Sequence, residues 1–303
     1  MIVLICDSWI IIWLFIELSS ISFIIYIIFS KLKRDWSLSY FLIQSVGSVF
    51  LLLSFIFNEI NEYKLKVYRR VLLLLCFSVL LKVGIYPFHF WVLKISLTMK
   101  FKDLNLLLII QKIAPLWILS SFFVRILLLI SLLGLLISTL SQFRVLRIIL
   151  LLVYSSISHI RWILVRRKKF FFNTITYFIF YSFILIGLLY YLNKFYIYHF
   201  FNRFSYKYYL IFISLIIYSL AGMPLLLGFF PKWLIFFSLS LINKMWVIFI
   251  FVLITGINFY IYNRFTYNSF IYVSLIKGHK KSFILASSLF LKNIFFPINL
   301  LFI

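Results

Sequence analysis

Three lysines stand inside apolar runs: Lys82 in LLLLCFSVLLKVGIYPFHFW, Lys112 in LNLLLIIQKIAPLWILSSFF and Lys232 in LAGMPLLLGFFPKWLIFFSL. One acid, Glu17, lies mid-run in WIIIWLFIELSSISFIIYIIFS. A charge at the centre of such a run costs about 2.5–3.5 kcal/mol to place in hydrocarbon, so it is a functional residue by default. Desolvation disfavours the charged form of both groups. A lysine kept from water can therefore exchange a proton near neutral pH, and a nearby carboxylate can tune it. The chemistry these residues offer is a proton relay. His89 and His159 could extend it, because imidazole titrates in the physiological range; each serves equally well as a hydrogen-bonded packing residue. Glu17 needs a cation from another helix, or it carries a proton and bonds Ser19, Ser20 or Ser22. Lys232 has a second option as well, since a long stem near an interrupted helix can carry its ammonium to the headgroups.

Each lysine has a proline close by. Pro87 follows Lys82, Pro115 follows Lys112, and Pro231 precedes Lys232. Inside a helix a proline lacks its amide donor and leaves the carbonyl four residues earlier unpaired. Those carbonyls belong to Val83, Gln111 and Leu227. In a membrane a free carbonyl is tolerated only against protein or water. The spacing therefore predicts helices that open beside each lysine. The remaining acids, Asp7, Asp35, Glu59, Glu62 and Asp103, sit at run ends or in connections.

The elements that must hold these residues are legible in the composition. The chain has 303 residues, of which 65% are hydrophobic and 12% charged, and its mean hydropathy is +1.15. A soluble domain is far less apolar and about twice as charged. Continuous apolar runs also exclude a β-barrel, whose strands alternate. Runs at 8–30, 38–57, 71–93, 104–124, 126–141, 145–165, 171–192, 208–228, 229–242, 245–262 and 282–303 predict an all-α, polytopic transmembrane bundle of about ten to eleven helices. The polar connections are too short for a second domain, so 1–303 reads as one transmembrane domain without a convincing internal repeat.

The formal charge is +24, from 30 Lys and Arg against 6 acids. Clusters at 31–35, 161–169 and 277–281 lie between apolar runs and read as phospholipid headgroup contacts. No continuous basic face exists for nucleic acid. Both sides of the bundle receive nearly equal numbers of Lys and Arg, so the positive-inside rule does not orient it. Cys6 and Cys76 make neither a disulfide framework nor a metal site. Walker and GxGxxG loops, GxSxG and HExxH are absent, as is a cysteine cluster for iron–sulfur. The chain is therefore expected to hold no metal or cofactor. Glu17 in the first run argues against a cleavable signal. Phe is used 39 times and Tyr 20 times, against 8 Gly and 5 Pro. Packing of membrane helices favours small residues, so this bias points to an AT-rich genome such as an organelle's.

At Lys82 the stretch KVGIYPFHFW resembles a motif of the chain 2 family of NADH:ubiquinone oxidoreductase, respiratory complex I. IELSS around Glu17, YFLIQ at 40–44, QKIAP at 111–115, YSSISHIRW at 154–162, LAGMPLLLGFFPKW at 220–233 and NFYIYNR at 258–264 are similar to the same family, in the same order. The resemblance covers roughly residues 10–265 and implies an antiporter-like, proton-translocating membrane subunit with broken helices. It implies that Glu17 and Lys82 form the paired glutamate and lysine of the first half. Lys112 would be the central lysine, Lys232 the basic residue toward the exit side, and His89 and His159 the family's histidines. NADH, FMN, iron–sulfur clusters and ubiquinone would be bound by other subunits. The partners would be other membrane-arm subunits, including antiporter-like neighbours, together with phospholipids, in the mitochondrial inner membrane.

The sequence also departs from that pattern. Leu93 and Lys94 stand where a Pro-Glu pair is common, and Ile149 and Leu150 where an Arg-Lys pair is common, with Arg144 and Arg147 earlier. Arg161 stands beside Trp162 where a small residue is usual. An N-terminal helix common in relatives is expected to be absent or a stub. Two rival functions fit the same buried charges: a stand-alone or Mrp-type cation/proton antiporter subunit, and a non-pumping structural membrane subunit.

Overall fold

The computed structural model describes residues 8–30, 34–60, 65–121, 125–164, 171–194, 207–241 and 245–276. The expected run at 282–303 lies outside these residues, as do Cys6 and the side chains of Asp7, Asp35, Glu59 and Glu62. The described residues are helical and contain no strand. The order is α1 Trp9–Phe29, α2 Arg34–Ile60, α3 Leu65–Val83, α4 Phe90–Ser96, α5 Phe101–Asn105, a π-helical turn Leu106–Ile110, α6 Gln111–Ser121, α7 Arg125–Arg144, α8 Ile148–Leu164, α9 Phe171–Lys194, α10 Lys207–Ala221, α11 Phe229–Ser240 and α12 Met245–Ile276. Segments α5, the π turn and α6 are continuous. Trp9–Phe29, Ser37–Phe57, Leu127–Arg144, Asn173–Lys194 and Met245–Tyr267 are each long and apolar enough to cross a membrane. Shorter apolar helices complete the bundle, among them Val71–Val83, Ile148–Leu164 and Phe229–Ser240.

α8 is the buried centre. Ile148, Leu151, Leu152, Ile157 and Ile160 pack in the core, and the polar Ser155, Ser156, Ser158, His159 and Arg161 are buried with them. Trp162 anchors this helix against α11 and α12, edge-on to Phe236 and Phe251 with ring centroids 5.3 and 4.4 Å away. A helix buried on nearly every face occupies the core of a bundle, and its polar side chains must then find partners inside the protein.

Two helices are interrupted, and the breaks are built alike. α3 ends on Gly84 at φ 69°, and α10 ends on Gly222 at φ 82°. At the first, Ile85 N–H donates to Leu80 O and Gly84 N–H to Leu81 O, each at 3.2 Å. At the second, Met223 N–H donates to Tyr218 O at 3.2 Å and Gly222 N–H to Ser219 O at 3.1 Å. These are the paired bonds of a helix ended by a left-handed glycine. Run 71–93 is therefore two helices, α3 and α4, separated by 84–89.

The proline expectation is corrected by this geometry. Pro87 lies in the connection and Pro231 in the first turn of α11, where no donor to an earlier helical carbonyl is lost. Pro115 alone of the three lies in a helix beyond its first turn. The helix beside Lys112 opens instead as the π turn immediately before Gln111 and Lys112.

The first break tests the packing directly. A Cβ on Gly84 would fall 2.2 Å from Val92 Cγ2, in a backbone conformation that costs other residues about 1–3 kcal/mol. A Cβ on Gly187 of α9 would meet nothing within 4 Å. Gly84→Ala is expected to lower the thermal midpoint of the detergent-solubilised protein, and Gly187→Ala to leave it in place. Equal midpoints for the two variants would show that the break is not packed as described.

Candidate functional site

Glu17 is carried by α1 and faces α2 and α3. Its Oε2 accepts from Lys82 Nζ at 3.4 Å, and its Oε1 accepts from Ser48 Oγ at 3.4 Å. Ser19, Ser20 and Ser22 instead donate to carbonyls three residues earlier in their own helix. The cation option for Glu17 is the one realised. Lys82 is 3% exposed in the last turn of α3. Its own carbonyl accepts from Gln44 Nε2 at 3.2 Å, and the preceding Leu81 carbonyl accepts from Trp91 Nε1 at 3.2 Å. A Cβ on Gly47 would sit 3.0 Å from Lys82 Cγ, so α2 is in close contact with the lysine stem.

Lys112 lies at the start of α6, 2% exposed. Its ammonium donates to Ser156 Oγ on α8 at 3.1 Å. The neighbouring Gln111 connects back to α1 and α2: its Nε2 donates to Ser19 O at 3.1 Å, and Tyr40 Oη donates to its Oε1 at 3.3 Å. Asp103, the other acid whose side chain is described, accepts from Tyr26 Oη at 2.5 Å. Lys112 thus has a hydroxyl partner, while the two described carboxylates are engaged elsewhere.

His159 follows Ser156 by one turn of α8. Its Nδ1 is 2.8 Å from Tyr177 Oη, and its ring stacks on Tyr181 with centroids 4.8 Å apart. A cavity of about 10 Å³, room for about one water, is lined by His159, Tyr181, Ser219, Leu220 and Pro231. It reaches the second break, where Lys232 Nζ donates to Leu220 O at 3.1 Å and to Ala221 O at 2.5 Å. Lys232 is 5% exposed and does not extend to the headgroups. A Cβ on Gly222 would come 2.7 Å from its Nζ, so the glycine that ends α10 also makes room for the ammonium.

Five of the six expected site residues therefore make polar contacts between helices: Glu17 with Lys82 from α1 to α3, Lys112 with Ser156 from α6 to α8, His159 with Tyr177 from α8 to α9, and Lys232 with the end of α10 from α11. His89 stands apart. It packs among the rings of Tyr86, Phe90 and Tyr154, with centroids 5.8, 4.4 and 6.3 Å away. No hydrogen bond joins it to Glu17 or Lys82. Lys94, Arg144 and Arg147 are exposed, whereas Ile149 is buried. Arg161 corrects the headgroup reading of 161–169, because it is fully buried in α8. Among the described residues no group of three or more His, Cys, Asp or Glu side chains is placed to hold a metal.

Residues 6–258 match the family described as NADH:quinone oxidoreductase/Mrp antiporter, TM. The chain belongs to this family. Among relatives of this antiporter family, NADH-ubiquinone oxidoreductase chain 2 of Anopheles gambiae is 33% identical over 279 residues, 87% of this chain and 80% of that protein. The chain 2 protein of Artemia franciscana is 34% identical over 281 residues, 90% of this chain and 87% of that one. The fold of a chain in respiratory complex I from Thermus thermophilus superposes with a TM-score of 0.66 at 20% identity. That match covers 78% of this chain and 59% of the Thermus chain, so this family member spans less than two thirds of that neighbour.

The Glu17–Lys82 pair carries its own prediction. Lys82 is buried while the Glu17 side chain is 23% exposed, so removing the glutamate leaves a buried ammonium uncompensated, which is worse than removing both charges. Glu17→Gln and Lys82→Met should each lower the thermal midpoint, and the double variant should lower it by less than the sum. Strictly additive effects would mean that the two charges do not interact.

Proposed function

We propose that the chain is a membrane-arm subunit of a proton-pumping NADH:ubiquinone oxidoreductase in the mitochondrial inner membrane. It moves protons, while NADH, FMN, iron–sulfur clusters and ubiquinone are bound by other subunits. Its partners are those subunits, including antiporter-like neighbours, and phospholipids. The observation that carries this reading is the row of buried ionisable groups joined to neutral hydroxyls and carbonyls, in a chain of this family. Lys112 on Ser156, His159 on Tyr177, and Lys232 on two carbonyls are each held by neutral partners. A proton on any of them is balanced by dipoles alone, so a change in charge nearby is felt strongly.

The Glu17–Lys82 pair supplies such a change. When the pair is closed, the carboxylate neutralises Lys82. When it opens, a net positive charge faces the start of α6. Coulomb coupling over several ångströms in low dielectric shifts a proton equilibrium by about one pKa unit, or ~1.4 kcal/mol. Lys112 then releases its proton along Ser156 and His159 toward Lys232. Gln111 joins the two ends of this coupling, since it touches α1 and α2 and adjoins Lys112.

The family also includes Mrp antiporter subunits, and the same buried charges would serve a cation/proton antiporter acting without NADH. The native mass and NADH oxidation of the assembly, solubilised in mild detergent from its own membranes, separates the two. Co-migration with a large NADH-oxidising complex is expected. Migration as a small unit without that activity would overturn the respiratory reading in favour of the antiporter.

A further inference from the structure

Among the described residues, one buried Lys or Arg is left unused by the relay. Arg161 is 0% exposed in the central helix α8. Its Nη1 donates to Ile130 O at 2.6 Å and to Ser131 O at 3.4 Å, both on α7. Its Nη2 donates to Tyr86 O at 3.4 Å, inside the first break, and its guanidinium carbon lies 5.9 Å from the Tyr86 ring centroid. A Cβ on Gly134 would fall 1.5 Å from Nη1 and 1.7 Å from Cζ. The guanidinium thus occupies the space beside the α7 backbone that a glycine leaves open. The described acids are engaged elsewhere, Glu17 by Lys82 and Asp103 by Tyr26.

A charge buried with carbonyl dipoles alone is costly, and such residues in a membrane mark function. The geometry shows what this one does. The segment from Lys82 to Tyr86 is tied at both ends by side chains from other helices. Gln44 holds the Lys82 carbonyl and Arg161 holds the Tyr86 carbonyl. A planar fork reaches α7 and the break from two separate nitrogens, a geometry that the single ammonium of a lysine does not reproduce.

We propose that Arg161 is a positioning residue that fixes the α3–α4 break against α7, and with it the placement of Lys82 relative to Glu17, and that Gly134 is its obligatory partner. This inference rests on the proton-pumping reading given above. It is tested by the proton-to-electron ratio of the intact assembly in sealed vesicles oxidising NADH, compared at equal amounts of assembled complex, with Lys112→Ala alongside. Arg161→Met is expected to lose most of the ratio that Lys112→Ala loses, and Arg161→Lys to recover only part of it. Gly134→Ala keeps the guanidinium but displaces it from Ile130 and Tyr86, so it should show the same loss and decides the matter if Arg161→Met does not assemble. With the guanidinium gone, Gly134→Ala should add nothing, so Gly134→Ala/Arg161→Ser should pump no worse than Arg161→Ser. A full ratio in Arg161→Met or Gly134→Ala, with Lys112→Ala defective, would overturn the positioning role alone. Fewer assembled complexes at a full ratio per complex would do so too, leaving Arg161 a structural tie. A full ratio in Lys112→Ala would instead reject the pumping reading beneath it.

Discussion

The architecture depends on how carbonyls freed from a helix inside hydrocarbon are satisfied. Each such group left bare costs several kcal/mol. At the first break the donors are Trp91, Gln44 and Arg161, taken from three different helices. At the second they converge in one ammonium, that of Lys232. A buried cation and bare carbonyls are each unfavourable alone, and together they offset one another. The breaks therefore select where charge can reside in the bundle. Lys82 ends the first half-helix, and Lys232 reaches back to the end of the second.

The same constraint explains why the site is spread over many elements instead of clustering in one pocket. A helix can satisfy its own serines by bonding them to carbonyls three residues earlier, as in α1, α7 and α8. It cannot do this for an ammonium, which must find an oxygen on a neighbour. Lys112 uses Ser156, and Lys82 uses Glu17. The central position of α8 follows, because it supplies Ser156 and His159 on one side and Arg161 on another. Its burial on nearly every face keeps those groups from bulk water.

Much of this was legible in the residues. The apolar runs gave most helices to within a few positions, and charges inside runs pointed to Glu17, Lys82, Lys112 and Lys232. Gln44 and Gln111 were polar residues within runs and carried the same signal less loudly. The breaks were expected from proline, but glycine makes them. Gly84 and Gly222 take left-handed conformations before the prolines are reached, and the apolar pattern of GIYPFHFW hides the stop. The π turn is written in Leu and Ile alone and leaves no trace in composition. Arg161 was misread because Arg166, Arg167, Lys168 and Lys169 follow it, and linear spacing does not tell a buried first member from a cluster at the headgroups. Tyr177 and Tyr181 were invisible as partners of His159, since they come from another helix in a chain crowded with tyrosine.

The central claim is that Lys112, buried on a neutral hydroxyl, carries the proton passed between the two breaks. The most direct measurement is proton uptake or release per NADH oxidised by sealed vesicles containing the assembled Lys112→Ala protein. The account predicts an assembled complex that no longer pumps through this chain, seen as a reduced proton-to-electron ratio. An undiminished ratio would contradict it.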